Sequence, residues 1–140
     1  MRYFLDTNIL VYAIQDRDSL SNDVKAILED YDNTFYMSSE SIKELIVAYR
    51  NKKLLNKYWK TAREMVTAIT DDYYITVMPV DNEVMKTYSL LDINMSEDHK
   101  DPSDHVIISH AITLHIPLIS SDHKFLFYKR QGLDLIYNEV

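Results

Sequence analysis

Apolar and polar positions alternate between two periods along this chain, and the switches mark its elements. Tyr3-Phe4-Leu5 is a short apolar run that reads as a strand. Ile9, Leu10, Ala13 and Ile14 then follow helical spacing, as do Val24, Ile27 and Leu28 within a second helix over Ser21–Asp30. Thr34–Met37 is rich in β-forming residues and predicts the second strand. Ser38-Ser39 can cap a helix by accepting from an orphan N–H, and Ile42, Leu45, Ile46 and Tyr49 supply that helix with an apolar face.

The next stretch predicts a basic helix over about 56–70, with Trp59, Met65 and Val66 turned inward. Tyr74–Met78 predicts a third strand, ended by Pro79. Asp81–Leu91 is helical in pattern, with Val84, Tyr88 and Leu91 on one side. Ser96–Asp101 is polar and loop-like, and Pro102 suits a first helical turn. Val106–His115 is the most apolar helix, carrying Ile107, Ile108, Ala111 and Ile112. Leu118-Ile119 is a fourth strand, Phe125–Arg130 a short helix stopped near Gly132, and Leu133–Tyr137 a fifth strand. Strands separated by helices pair in parallel. The expected fold is therefore α/β: one domain over 1–140, a three-layer α/β/α sandwich with a central, mostly parallel sheet of five strands.

Composition narrows this little. The 140 residues are 46% hydrophobic and 26% charged, as in ordinary globular chains. With no Cys there is no disulfide framework and no thiolate chemistry, which suits a cytoplasmic setting. No run reaches the ~20 apolar residues a bilayer span needs, and Asp6 and Asn8 interrupt any leader-like start, so no membrane partner is expected.

Charge distribution adds more. The net charge is −7, which by itself opposes nucleic-acid binding. Yet 50–63 carries Arg50, Lys52, Lys53, Lys57, Lys60 and Arg63 without one acid, so that stretch is +6 and the remainder −13.

The candidate chemistry lies in the acids. Asp6 ends the first strand, Glu44 lies one turn into the helix after the second, Asp104 begins the apolar helix and Asp122 follows the fourth strand. All four belong near the carboxyl edge of a parallel sheet, where open α/β sheets bind ligands. Like charges crowded there raise each other's cost of ionisation, which divalent cations relieve, and hard oxygen ligands favour Mg²⁺ or Mn²⁺. Two such ions held roughly 3.5–4 Å apart can activate a water and stabilise a leaving oxygen in phosphoryl displacement. Two positions stay open at this point: Asp101 competes with Asp104, and Glu40, one turn from Glu44, shares its face.

These motifs carry a resemblance. Leu5-Asp6-Thr7-Asn8, Ser38-Ser39-Glu40-Ser41-Ile42-Lys43-Glu44-Leu45, Asp101-Pro102-Ser103-Asp104-His105 and Ser120-Ser121-Asp122-His123-Lys124-Phe125 resemble, in order, those of the PIN-domain nucleases, above all small VapC-type toxins. The resemblance implies a metal-dependent endoribonuclease, the toxin of a type II toxin–antitoxin pair. Asp6, Glu44, Asp104 and Asp122 would be catalytic and metal-binding, with Asn8 and Ser120 as supports. It also implies an RNA substrate, a protein antitoxin and a homodimer. His105 stands where many such toxins carry Arg, and Ser120 where Thr is frequent.

Other readings are weaker. His105, His110 and His115 are five apart, which turns each about 140° from the last, so they share no helix face and make no metal site. No Gly-rich phosphate loop is present. A protein-binding module using the acidic rim without metal is one alternative. An aspartyl-phosphate enzyme with Asp6 as nucleophile is another, but the chain lacks a second Asp in Asp6-Thr7-Asn8 and shows no well-placed late Lys. Lys52, Lys53 and Lys57 are the candidate RNA contacts.

Overall fold

The computed structural model describes residues 1–54 and 56–140. Five strands form one sheet: β1 (Arg2–Leu5), β2 (Thr34–Ser38), β3 (Ile75–Met78), β4 (Leu118–Ser120) and β5 (Leu135–Tyr137). The helices are α1 (Thr7–Gln15), α2 (Asn22–Glu29), α3 (Ser39–Arg50), α4 (Ala62–Asp71), α5 (Asn82–Leu90) and α6 (Pro102–Leu114). Two 3₁₀ segments, Arg17–Ser19 and His123–Gln131, complete the described elements. The sheet order is β3-β2-β1-β4-β5 and every pairing is parallel. The expected α/β/α sandwich of five strands is the observed one.

The period-2 alternation of the strands divides the interior into two cores. Tyr3, Leu5, Met37, Ile75 and Ile119 point to one face, where α1, α2, α3 and α4 bring Ile9, Leu10, Val24, Leu45, Met65 and Ile69. Phe4, Leu118 and Leu135 point to the other face, against Ile107, Ile108 and Ala111 of α6 and Phe125 and Tyr128 of the second 3₁₀ helix. A sheet covered on both faces must be apolar on both, which is why these strands read as short apolar runs.

The order also fixes where a ligand can sit. From β1 the chain winds outward through β2 to β3, then returns by α5 and α6 to place β4 on the other side of β1. Between β1 and β4 the winding reverses, and the loops leaving their carboxyl ends diverge to open a crevice.

Two expectations are corrected. The basic stretch is not a helix from Asn56: α3 ends at Arg50, α4 starts at Ala62, and turns and bends fill most of the described interval. Thr61 caps α4 by accepting the Glu64 N–H at 3.1 Å. Leu54 and Trp59 anchor the interval in the core. The third strand begins at Ile75, since Tyr74 has φ 56°, a left-handed conformation incompatible with a strand. Among the described residues, no helix is long and apolar enough to cross a membrane.

Candidate metal centre

Asp6 follows β1 directly and is the N-cap of α1. Its side chain is almost wholly buried, and both oxygens are occupied. Oδ1 accepts the Thr7 N–H at 2.8 Å and Oδ2 accepts the Ser120 hydroxyl at 2.8 Å. Ser120 ends β4 and its oxygen also accepts the Asp122 N–H at 3.1 Å. One hydroxyl therefore locks the two strand ends together across the crevice. Asp122 caps the 3₁₀ helix through the Lys124 N–H, 2.9 Å from Oδ1.

Glu44 reaches the same crevice from α3, and Oε1 accepts the Thr7 hydroxyl at 2.6 Å. Asp104 reaches it from the first turn of α6, which Asp101 caps through the Ser103 N–H at 2.9 Å. Asp6, Glu44, Asp104 and Asp122 line one cavity of about 330 Å³, together with Thr7, Asn8, His99, Lys100, Asp101 and Lys124. The four acids anticipated from sequence thus meet at one rim.

Burial and like charge dominate the electrostatics. Burial, reinforced by the Asp104 charge, pushes the Asp6 carboxyl up to about 7. Burial and then Asp101, Glu44 and Asp122 push Asp104 up to about 8. Glu44 is also raised, chiefly by burial, although its bond from Thr7 opposes this. Without cations these carboxylates retain protons at pH values where exposed ones have lost them.

Oxygen donors dominate the rim, and two sets of three side chains can each bring ligand atoms within 4.8 Å of one another: Glu44, Asp101 and Asp104, and His99, Asp104 and Asp122. Such donor sets fit hard divalent cations. Asp104 belongs to both sets; Asp6 belongs to neither but lines the same cavity.

Of the alternatives left open, Glu40 turns aside. Its Oε1 takes a bond from the Ser103 hydroxyl at 2.8 Å and pairs with Lys43. Asp101 and Asp104, by contrast, both reach the rim. Asn8 lines the cavity, while the supporting bonds come from Thr7 and Ser120.

The expected absence of a late Lys does not hold, since Lys124 lines the cavity. His105 and His110 bond elsewhere: His105 Nε2 to the His99 carbonyl at 2.9 Å and His110 Nδ1 to the Ser38 hydroxyl at 2.9 Å. His115 is the left-handed cap of α6. The histidine that does reach the rim is His99, from the loop before α6, 3.0 Å from Asp104 Oδ2. Helix spacing could not reveal it, because it lies in no helix.

A larger cavity of about 630 Å³ lies at Tyr58–Thr61 and α4, but its acids, Glu64, Asp71 and Asp72, are outside both ligand sets. A groove of about 340 Å³, lined by Lys43, Glu44, Val47, Ala48, Asn51, Lys53 and Ser103, shares Glu44 with the acidic cavity.

A parallel sheet whose β1 and β4 ends carry Asp6 and Asp122, with Glu44 and Asp104 added from α3 and α6 around one crevice, defines the class: the chain belongs to the PIN domain family, whose pattern matches residues 3–131. Its fold is similar to that of VapBC2 from Rickettsia felis, solved bound to a promoter DNA fragment. That likeness has TM-score 0.71 and 23% identity, and covers 99% of this chain and 100% of that one. VapBC-1 from nontypeable Haemophilus influenzae is also similar, with TM-score 0.64 and 21% identity over 98% of both chains. FitAcB from Neisseria gonorrhoeae matches with TM-score 0.68 and 18% identity over 97% of both chains. No curated protein sequence matches the chain.

Proposed function

We propose that this protein is a divalent-metal-dependent endoribonuclease, the toxin of a type II toxin–antitoxin pair. The observation that carries the reading is the meeting of Asp6, Glu44, Asp104 and Asp122 at the sheet's switch point, two of them with strongly raised affinity for protons. A site that pays for its crowding by holding protons will exchange them for doubly charged ions.

Asp6, Glu44, Asp104 and Asp122 would hold Mg²⁺ or Mn²⁺, with Asp101 able to join them and Asp6 on the buried side. Such ions, when bound, activate a water and neutralise charge on the phosphate under attack. The chain's own part is positioning. Ser120 and Thr7 keep two carboxylates, Asp6 and Glu44, aimed inward, and Lys100 and Lys124 offset the negative field at the entrance. Asn8, exposed on the cavity wall, would support the acids from beside Thr7.

RNA must approach an acidic rim, so it needs basic help. The groove that shares Glu44 with the cavity is lined in part by Lys53, next to Lys52 in sequence, and Lys57 is also exposed. These three lysines are our candidate track for a single-stranded substrate. A protein antitoxin is the proposed partner, since similar folds occur in VapBC and FitAcB structures. A homodimer acting in the cytoplasm completes the reading.

The aspartyl-phosphate alternative loses support despite Lys124. Asp6 is almost wholly buried and each of its oxygens already accepts a hydrogen bond, which restricts the approach of a phosphoryl donor.

The test is an RNase assay with and without Mn²⁺ on wild type and Asp104→Asn. Cleavage that needs the ion and disappears in the variant supports the proposal. Metal-independent cleavage, or full activity of Asp104→Asn, overturns it.

A further inference from the structure

His99 stands outside the four acids yet touches the one that both ligand sets share. We propose that His99 is a positioning residue, held by Tyr128 in the tautomer that carries hydrogen on Nε2, and that it fixes Asp104 for cation binding. This rests on the metal-dependent reading of the rim.

The tautomer follows from a chain of donors. The Asn94 backbone N–H can only donate, and it points to the Tyr128 oxygen at 3.1 Å. The phenol is fully buried, and its other hydrogen-bond partner among the described residues is His99 Nδ1, 2.9 Å away, so the phenol's own hydrogen is assigned to that nitrogen. Nδ1 accepts, so in the uncharged ring Nε2 is the nitrogen with the hydrogen, and it faces Asp104 Oδ2 at 3.0 Å.

The imidazole has no freedom to leave. It is 1% exposed, lies edge-on to His105 and Tyr128 with centroids 4.7 and 5.5 Å away, and packs on Phe125 at 5.6 Å. Its backbone is fixed too: the His99 N–H donates to the Asn94 carbonyl at 3.0 Å, and the His99 carbonyl accepts from His105. The scaffold below it is the second core, built on Tyr128 and Phe125.

Asp104 needs such a hold. Asp101, Glu44 and Asp122 all repel it, and an unrestrained carboxylate would swing towards solvent. A donor on Oδ2 keeps the group in place and leaves Oδ1 for a cation. A nitrogen that carries hydrogen cannot itself be a ligand, so His99 supports the site without joining it, although a ring nitrogen lies within 4.8 Å of an Asp122 carboxylate oxygen.

The experiment is Mn²⁺ calorimetry on the full chain for wild type, Asp104→Asn, His99→Leu, His99→Gln and Tyr128→Phe, with melting curves as a folding control. Loss of a hydrogen bond behind a metal ligand weakens metal affinity by about 10–100-fold, which is the effect expected for His99→Leu. His99→Gln can still present an N–H near the Nε2 position and should regain most of it. Tyr128→Phe keeps the ring packing but removes the hydroxyl, and should weaken binding by less than His99→Leu.

The ¹⁵N shifts of His99 give a readout independent of affinity. Nε2 should stay protonated, and Nδ1 bare, before and after Mg²⁺ is added. Wild-type affinity in folded His99→Leu and Tyr128→Phe overturns the role, as does an Nε2 that loses its hydrogen when Mg²⁺ binds. If wild type binds Mn²⁺ and Asp104→Asn does not, while the His99 variants match wild type, only His99 is dismissed. If wild type binds no Mn²⁺, the nuclease reading fails and the positioning role falls with it.

Discussion

The acidic rim and the basic stretch from Arg50 to Arg63 carry opposite charge and are held in opposite ways. Asp6, Glu44, Asp104 and Asp122 are each partly or wholly buried, come from four different parts of the chain, and are aimed by a hydroxyl, a backbone N–H or an imidazole. All six bases of the stretch are exposed, neighbours in sequence, and lie mostly on turns. Buried charge must be positioned, because in a poorly solvated crevice an error of direction costs far more than in water. Exposed charge works through its summed field, which tolerates loose placement. The rim therefore reads as chemistry and the stretch as steering.

The comparison can be broken from its rim side first. Asp104→Asn removes the residue common to both ligand sets and should lower RNase activity by about a hundredfold or more, given that even a supporting contact is worth 10–100-fold. An assay at saturating Mn²⁺ checks it; activity within a few-fold of wild type would mean that the rim is not the working part.

Ser120→Ala comes next. It leaves Asp6 Oδ2 without its donor and the Asp122 N–H without its acceptor, at a cost of about 1–3 kcal/mol in urea denaturation.

pH sharpens the same point. Asp6 and Asp104 are raised above their unfolded values, so the metal-free native state holds protons that the unfolded chain has released. Their contribution is fully present below about pH 4 and is lost as pH rises through about 7 to 8, so this part of the stability falls across that window. Melting curves with EDTA should show the fall, and Mn²⁺ should restore stability most near and above neutral pH.

The smallest effect belongs to the steering side. Replacing Lys52, Lys53 and Lys57 together should weaken RNA binding and reduce the salt slope by about 2, from roughly 0.7 per phosphate contact on single strands. Cleavage of bound RNA should be little changed. An unaltered slope would remove these lysines from the RNA path.

The sequence made the rim and the sheet legible for one reason: both depend on local order along the chain. A short apolar run ending in an acid means a buried strand with its carboxylate at the edge, and Asp6 and Asp122 follow that rule. Alternation within Tyr3-Phe4-Leu5 also divides the two cores. What stayed hidden depends on contacts between distant residues. Thr7 supports Glu44 across 37 positions, and His99 owes its orientation to Tyr128, 29 residues later.

The error at residues 56–61 had a local remedy. Thr61-Ala62-Arg63-Glu64 has the spacing of a helix-capping box, and it marks the true start of α4. The Glu64 carboxylate reaches back to the Lys60 N–H at 2.6 Å, one residue before the cap. Basic and aromatic residues before Thr61 mimicked helical spacing while Leu54 and Trp59 were serving as anchors for turns.

The most direct test of the central claim is anomalous diffraction from crystals grown with Mn²⁺. The account predicts manganese in the crevice between β1 and β4, bound by Asp104 with Glu44 or Asp122 and absent from crystals of Asp104→Asn. A fully occupied manganese elsewhere, with these carboxylates bare, would contradict it.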